Sequence, residues 1–101
     1  MKNFGNIVKQ AQQLQSKLLQ VQEEVGQKTV EGSAGGGMVV ATVNGKNQLV
    51  SIKIAPEAVE DVEMLQDMVI AAVNNAQESA QEMMKQAVGS LTGGMNIPGL
   101  F

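Results

Sequence analysis

The chain has 101 residues, 44% of them apolar, and sets seven lysines against ten acids for a net charge of −3, with no cysteine, histidine, tryptophan, tyrosine or arginine. That length makes a single domain, residues 1–101, with a core of modest size. The composition excludes disulfides, thiolate or imidazole catalysis and cysteine-based zinc sites.

General acid–base work would fall to carboxylates and lysines alone, and no nucleophile, base and orienting group can be assembled from them. Neither an enzyme, a cofactor, a metal site nor a small-molecule substrate is expected. Asn6, Lys9 and Gln10 interrupt what would have to be the apolar region of a signal peptide, and the longest apolar run, Met68 to Val73, is too short to span a bilayer. A cytoplasmic protein with no membrane partner is expected.

The first element is a helix over residues 1–26. Its apolar residues, Phe4, Ile7, Ala11, Leu14, Leu18, Val21 and Val25, are spaced 3, 4, 3, 4, 3, 4, an unbroken heptad seam. Gly26 is expected to end it as a left-handed C-cap. From Phe4 to Val25 such a helix is about 33 Å long, comparable to the width of a globule of this size. A short sheet cannot cover all of it, so part of the seam needs another helix. Away from the seam, Lys2, Lys9 and Lys17 share a sector with Asn6, Gln13 and Gln20, with no acid until Glu24. The plain reading of that stripe is a solvated face. The functional reading is contact with a nucleic-acid backbone, lysine neutralising phosphate and amides donating hydrogen bonds.

A sheet is expected over residues 28–55. Met38 to Thr42 and Leu49 to Ile54 are β-branched and bounded by glycine and asparagine, and Asn44-Gly45 between them suits a type I′ hairpin turn. Val39, Ala41 and Val43 then share an apolar face with Val50, Ile52 and Ile54, while Thr42, Ser51 and Lys53 lie opposite. Thr29-Val30-Glu31 supplies a weaker third strand, joined through Ala34-Gly35-Gly36-Gly37. Gly32 and Gly37 stand at the first and sixth places of a phosphate-binding loop, but Met38 and Val39 occupy the positions of its lysine and hydroxyl. A tight bend is the better reading.

Pro56 stops the last strand, and a second helix is expected over residues 61–88. Glu60, Glu63 and Asp67 share a helical face, which raises a divalent-metal reading. Acids are favoured at a helix start in any case, and Asp61 is a good N-cap. The stripe Val62, Leu65, Val69, Ala72, Ala76, Ala80, Met83 and Ala87 is rich in alanine, which lets another backbone approach. Asn74-Asn75 is expected to weaken this helix and allows it to be two. Residues 89–101, with four glycines and Pro98, are expected to form a flexible tail. Residues 1–55 hold six lysines against Glu23, Glu24 and Glu31, a charge of +3, and residues 56–101 hold Lys85 against seven acids, −6. A basic end and an acidic end are expected.

The opening MKNFGNIVKQAQQLQ, the segment EGSAGGGM, the turn VNGK, the run PE…DVEMLQD…AAVNNA and the end LTGG…PGLF together resemble the bacterial YbaB/EbfC family of nucleoid-associated proteins over essentially the whole chain. The resemblance implies an α+β subunit with a long first helix, a small antiparallel three-stranded sheet and a long second helix, forming a tweezer-like homodimer around double-stranded DNA. It implies backbone-directed binding with little sequence preference, nucleoid organisation and gene regulation. On this sequence the DNA-contacting lysines would be Lys2, Lys9, Lys17 and Lys85, and the core and dimer seam Leu14, Leu18, Val21, Ile52, Ile54, Leu65 and Val69. With no arginine, and with Glu78 and Glu82 beside Lys85, binding is expected to be weak and steeply dependent on salt. The alternative is a protein–protein module that engages a partner through the heptad helix and the acidic second helix.

Overall fold

The computed structural model describes the backbone of residues 2–91 and the side chains from Phe4 to Leu91. The Lys2 side chain and residues 92–101 lie outside it. Helix α1 spans Lys2–Gly26, strands β1, β2 and β3 span Thr29–Ala34, Val39–Asn44 and Leu49–Ile54, and helix α2 spans Val62–Leu91. The strands form one antiparallel sheet in the order β1-β2-β3. This is the α+β arrangement expected.

β1 is a full strand of six residues, and Gly32 in its middle explains how helix and sheet meet. A Cβ there would collide with the Ala76 backbone nitrogen and lie 2.6 Å from the Ala72 carbonyl oxygen. The backbone of α2 therefore rests directly on the backbone of β1. Ala72, Ala76 and Ala80 are fully buried in the contact, over equally buried Val39, Ala41 and Val43 of β2. Met68 and Ala58 close the end of this core, and Val30, Ala34, Met38, Leu65, Val69 and Val73 pack around it half-buried. Small side chains keep the layers close; the apolar effect here comes from many contacts rather than a few large groups.

Asn74 and Asn75 do not break the helix, which runs unbroken for 30 residues. The Asn75 amide instead donates to the Ser33 carbonyl at 3.1 Å, tying α2 to β1. Asp61 caps the helix, its Oδ1 accepting the Met64 N–H at 3.1 Å. Before it, Pro56–Glu60 makes a 3₁₀ turn that the sequence pattern did not suggest. Past Val88 the helix continues to Leu91: Gly89 makes an interior helical residue less stable without forbidding it.

The turns depart from expectation in informative ways. Gly35, Gly36 and Gly37 all have positive φ, at 65°, 68° and 96°, and reverse the chain from β1 into β2. A strand follows this loop, so it lacks the helix N-terminus that a phosphate loop requires. The β2–β3 hairpin is not a type I′ turn, because Gly45 has no positive φ. Asn47 is left-handed instead, at φ 67°. The Asn47 N–H donates to the Asn44 carbonyl and the Asn44 N–H to the Gln48 carbonyl, which leaves a three-residue loop. Asn44 Oδ1 accepts the Lys46 and Gln48 N–H groups at 2.9 and 3.0 Å, so its side chain builds the turn. Gly45 is needed for space: a Cβ there would strike the Val25 carbonyl. Gly26 likewise is not left-handed but buried, with the Lys46 side chain folded against it.

Two expected core positions are not in the core of the single chain. Ile54 and Ile52 pair with Val39 and Ala41 and share their face. Yet Ile52 is 37% and Ile54 40% exposed, because α2 lies across β1 and β2 and stops short of β3. A bulge between Thr42 and Val43 sets Val43 opposite Leu49 rather than Val50. α1 turns away from the sheet and packs on α2, with Leu14, Leu18 and Val21 half-buried and Val25 buried. The result is a molecule 71 Å long and 22 Å wide. It has a head, made of the sheet and the first part of α2, and an arm, made of α1 and the last turns of α2.

If the backbone contact at Gly32 seats the helix, Gly32→Ala should cost about 3 kcal/mol or more in urea unfolding, as overpacking against rigid backbone does. Gly36→Ala meets no atom within 4 Å, and should cost only the left-handed penalty of about 1–2 kcal/mol. Equal losses for the two would mean that α2 is not held there.

Candidate nucleic-acid interface

The arm is anchored at its root by backbone. At the end of α1 the Val25 carbonyl accepts the Lys28 N–H at 3.0 Å, and the Lys28 carbonyl accepts the Gly45 N–H at 2.9 Å. Lys46, next in the hairpin, reaches Glu23 at 3.7 Å. Both ends of that ion pair are exposed, so it contributes little to stability and chiefly occupies Glu23. From this root α1 and α2 run antiparallel: Met84 lies beside Leu19 and Glu23, and Leu91 beside Ile7 and Leu14.

Along the outer face of α1 every side chain from Lys9 to Lys17 is exposed except Leu14. Lys9, Gln12, Gln13, Ser16 and Lys17 line one shallow depression of about 570 Å³. Two ammonium groups, two amides and a hydroxyl thus face the same space, and no acid occurs in this helix before Glu23. Lys9 and Lys17 are about 12 Å apart along the helix axis, the reach of three or four nucleotides at about 3.4 Å each along one strand. Such a surface can neutralise phosphates and donate to their oxygens. It carries no arginine and no aromatic ring.

Lys85 does not join this stripe. It sits with Lys46, Gly45, Asn47, Gln81, Met84 and Val88 around a second depression of about 380 Å³ at the root of the arm. Asn47 Oδ1 is buried there with no hydrogen-bond partner among the described residues. Lys46 is the cation that sequence periodicity missed, since a turn residue belongs to no helical stripe. Its signal was its place after Asn44-Gly45 in the hairpin turn, where it is the exposed residue. On α2, Gln86 donates to Glu82 Oε1 at 3.2 Å, and on α1 Gln20 donates to Glu24 Oε1 at 3.3 Å. At the other end of α2, Asp61 is occupied in capping, and among the described residues no three histidines, cysteines or carboxylates gather as a metal site would require. No described helix is long and apolar enough to cross a membrane.

A nucleoid-associated protein of Pelotomaculum thermopropionicum is 54% identical over 101 residues, covering 98% of this chain and 96% of its own. One from Clostridium perfringens is 52% identical over 103 residues, covering 100% of this chain and 92% of its own. Among solved structures, an uncharacterized protein from Helicobacter pylori superposes with a TM-score of 0.79 at 24% identity, over 89% of this chain and 97% of that one, which shows a shared fold. The profile of the YbaB/EbfC DNA-binding family matches residues 1–95, and the chain therefore belongs to that family.

Proposed function

We propose that this protein binds duplex DNA through the phosphate backbone with little sequence preference, as a homodimer, and acts in the cytoplasm as a nucleoid-associated protein that influences DNA organisation and gene expression. The observation that carries the reading is the outer face of α1, which holds no acid before Glu24. There, Lys9 and Lys17 share one polar depression with Gln12, Gln13 and Ser16, on an arm that stands off the head. Lys2 extends the same helical sector in sequence. The names of the relatives and of the family support DNA as the ligand. Lys85 and Lys46 form a separate pair of cations at the root, where DNA gripped between two arms would pass.

A second copy is supported by β3. All six of its residues are exposed, and it is an outer strand of the sheet with a free row of backbone donors and acceptors. Leu49, Val50, Ile52 and Ile54 put apolar surface beside that edge. Pairing β3 with β3 of another copy about a two-fold axis satisfies the edge and covers the isoleucines together. Lys53, the one charged residue of β3, pairs with Val40 on the opposite face and does not obstruct this contact.

Light scattering should then give twice the 10.6 kDa of one chain, and Ile52→Lys should return it to the single-chain mass with the fold retained. A wild-type mass of one chain at micromolar concentration would refute the dimer.

For DNA, six first-helix lysines per dimer predict that affinity for a duplex of about 30 base pairs, followed by fluorescence anisotropy, falls about 10³-fold between 50 and 200 mM salt. Lys9→Gln with Lys17→Gln removes four of them, so the salt effect should shrink to about tenfold and binding should weaken alike for every sequence. No binding at 50 mM from a protein shown to be dimeric would favour the protein–protein reading, which the exposed apolar residues of the arm also suit.

A further inference from the structure

The arm carries an apolar surface that neither the proposed dimer edge nor the lysine stripe uses. Phe4 is 67% and Ile7 60% exposed, and together with Ala11 they continue the seam that α2 covers at Leu14, Leu18 and Val21. At the end of α2 a groove of about 520 Å³ lies between the helices. Ile7, Ala11, Leu14 and Leu91 form its apolar walls, and Gln10, Gln13 and Lys17 its rim. We propose that residues 92–101 of the same chain occupy this groove and run on over Ile7 and Phe4, completing the seam of α1 that α2 is too short to cover.

Three observations select this occupant. The first is direction. α2 is antiparallel to α1, so the chain leaves Leu91, itself a wall of the groove, heading towards the N-terminus of α1. The second is length. Phe4 lies about 10 Å beyond Ala11 along the helix axis, whereas ten residues reach up to about 33 Å when extended, so the segment spans the distance with residues to spare. The third is chemistry. TGGMNIPGLF contains Met95, Ile97, Leu100 and Phe101 and no charged side chain, so its side chains match an apolar groove and bring no desolvated charge into it. Gly93, Gly94 and Pro98 oppose further helix, which favours an extended path that can follow the seam. Being tethered at Leu91, the segment competes at an effective concentration of about millimolar, above that of a separate chain in dilute solution. This contact does not depend on DNA binding and stands or falls without it.

The absence of native cysteine makes the test direct. Asn96→Cys in the full-length protein provides a single site for a nitroxide label, and amide signals are compared before and after the label is reduced. Amides from Phe4 to Leu14 should lose more than half their intensity while those of the three strands keep theirs. Adding Ile97→Lys and Phe101→Lys to the labelled chain should restore the signals at Phe4 and Ile7, since attenuation that persists would show mere proximity and overturn the proposal. Attenuation confined to the last turn of α2, or found on β3, would overturn it as well. A mixture of isotope-labelled protein without nitroxide and nitroxide-labelled protein without isotope should show no loss at Phe4 to Leu14. Loss in that sample would assign the segment to the arm of another copy and refute the same-chain contact.

Discussion

Everything in this fold follows from the absence of a side chain at Gly32. With a Cβ at that position the Ala76 backbone could not lie where it does, and α2 would have to ride higher over the sheet. Seated on β1, the helix buries Ala72, Ala76 and Ala80 against Val39, Ala41 and Val43, a core in which valine is the largest fully buried residue. A core so thin is sensitive to every added atom, because closely packed layers cannot absorb volume by relaxing. The same placement decides what stays uncovered. A helix centred over β1 and β2 cannot also reach β3, so the outer strand keeps Ile52 and Ile54 at the surface. The surface proposed for a second copy is thus a geometric consequence of the contact at Gly32.

The arm depends on a second close approach. Gly45 and Gly26 bring the hairpin turn and the end of α1 together backbone to backbone, with the Val25 and Lys28 carbonyls both used. Hydrogen bonds between main-chain groups fix a direction better than long side chains would, since they involve no rotamers. α1 consequently leaves the head at a set angle and meets α2 where that helix has passed the sheet. The long helix serves two functions along its length. Its alanine stretch holds the sheet, and its last turns, from Met84 to Leu91, hold α1.

The long-period features of this architecture were legible in the sequence and its short-range geometry was not. A seam spaced 3, 4, 3, 4 from Phe4 to Val25 states that α1 needs a helical neighbour, and the alanines of α2 state that something approaches closely. Periodicity cannot say that these are two separate contacts, the alanines meeting the sheet and the seam of α1 meeting the end of α2. The hairpin was visible in Asn44-Gly45, but its turn class was set by Asn47, which adopts the left-handed conformation, and by the Val25 carbonyl, which takes the space beside Gly45. Asn75 looked like a helix breaker because its partner, the Ser33 carbonyl, is 42 residues away in sequence. That Lys9 and Lys17 share one surface was legible because one helix carries both. Lys85 shares its surroundings with Lys46 on a different element, a pairing that only the fold creates.

The same geometry bears on how a chain of net charge −3 would hold the phosphate backbone proposed above as its ligand. What a phosphate experiences at the arm is the local field, and in about 0.1 M salt that field is screened over about 10 Å. Leu91 lies level with Ile7 to Lys17, and Glu63 is 28 residues before it in an unbroken helix, hence about 40 Å away along the axis. The acids at the head, Glu57, Glu60, Asp61, Glu63 and Asp67, are therefore roughly three to four screening lengths from the Lys9–Lys17 depression. Nearer acids stand at the root: Glu23 is six residues past Lys17, about 9 Å along the axis, where it faces Lys46, and Glu82 accepts from Gln86. The elongated shape thus does electrostatically what a basic composition does in a compact domain. It sets Lys9 and Lys17 far from the acids of the head, which hold five of the ten carboxylate side chains. Dilute salt removes that separation, because near 0.01 M the screening length grows to about 30 Å and the head begins to repel what the arm attracts.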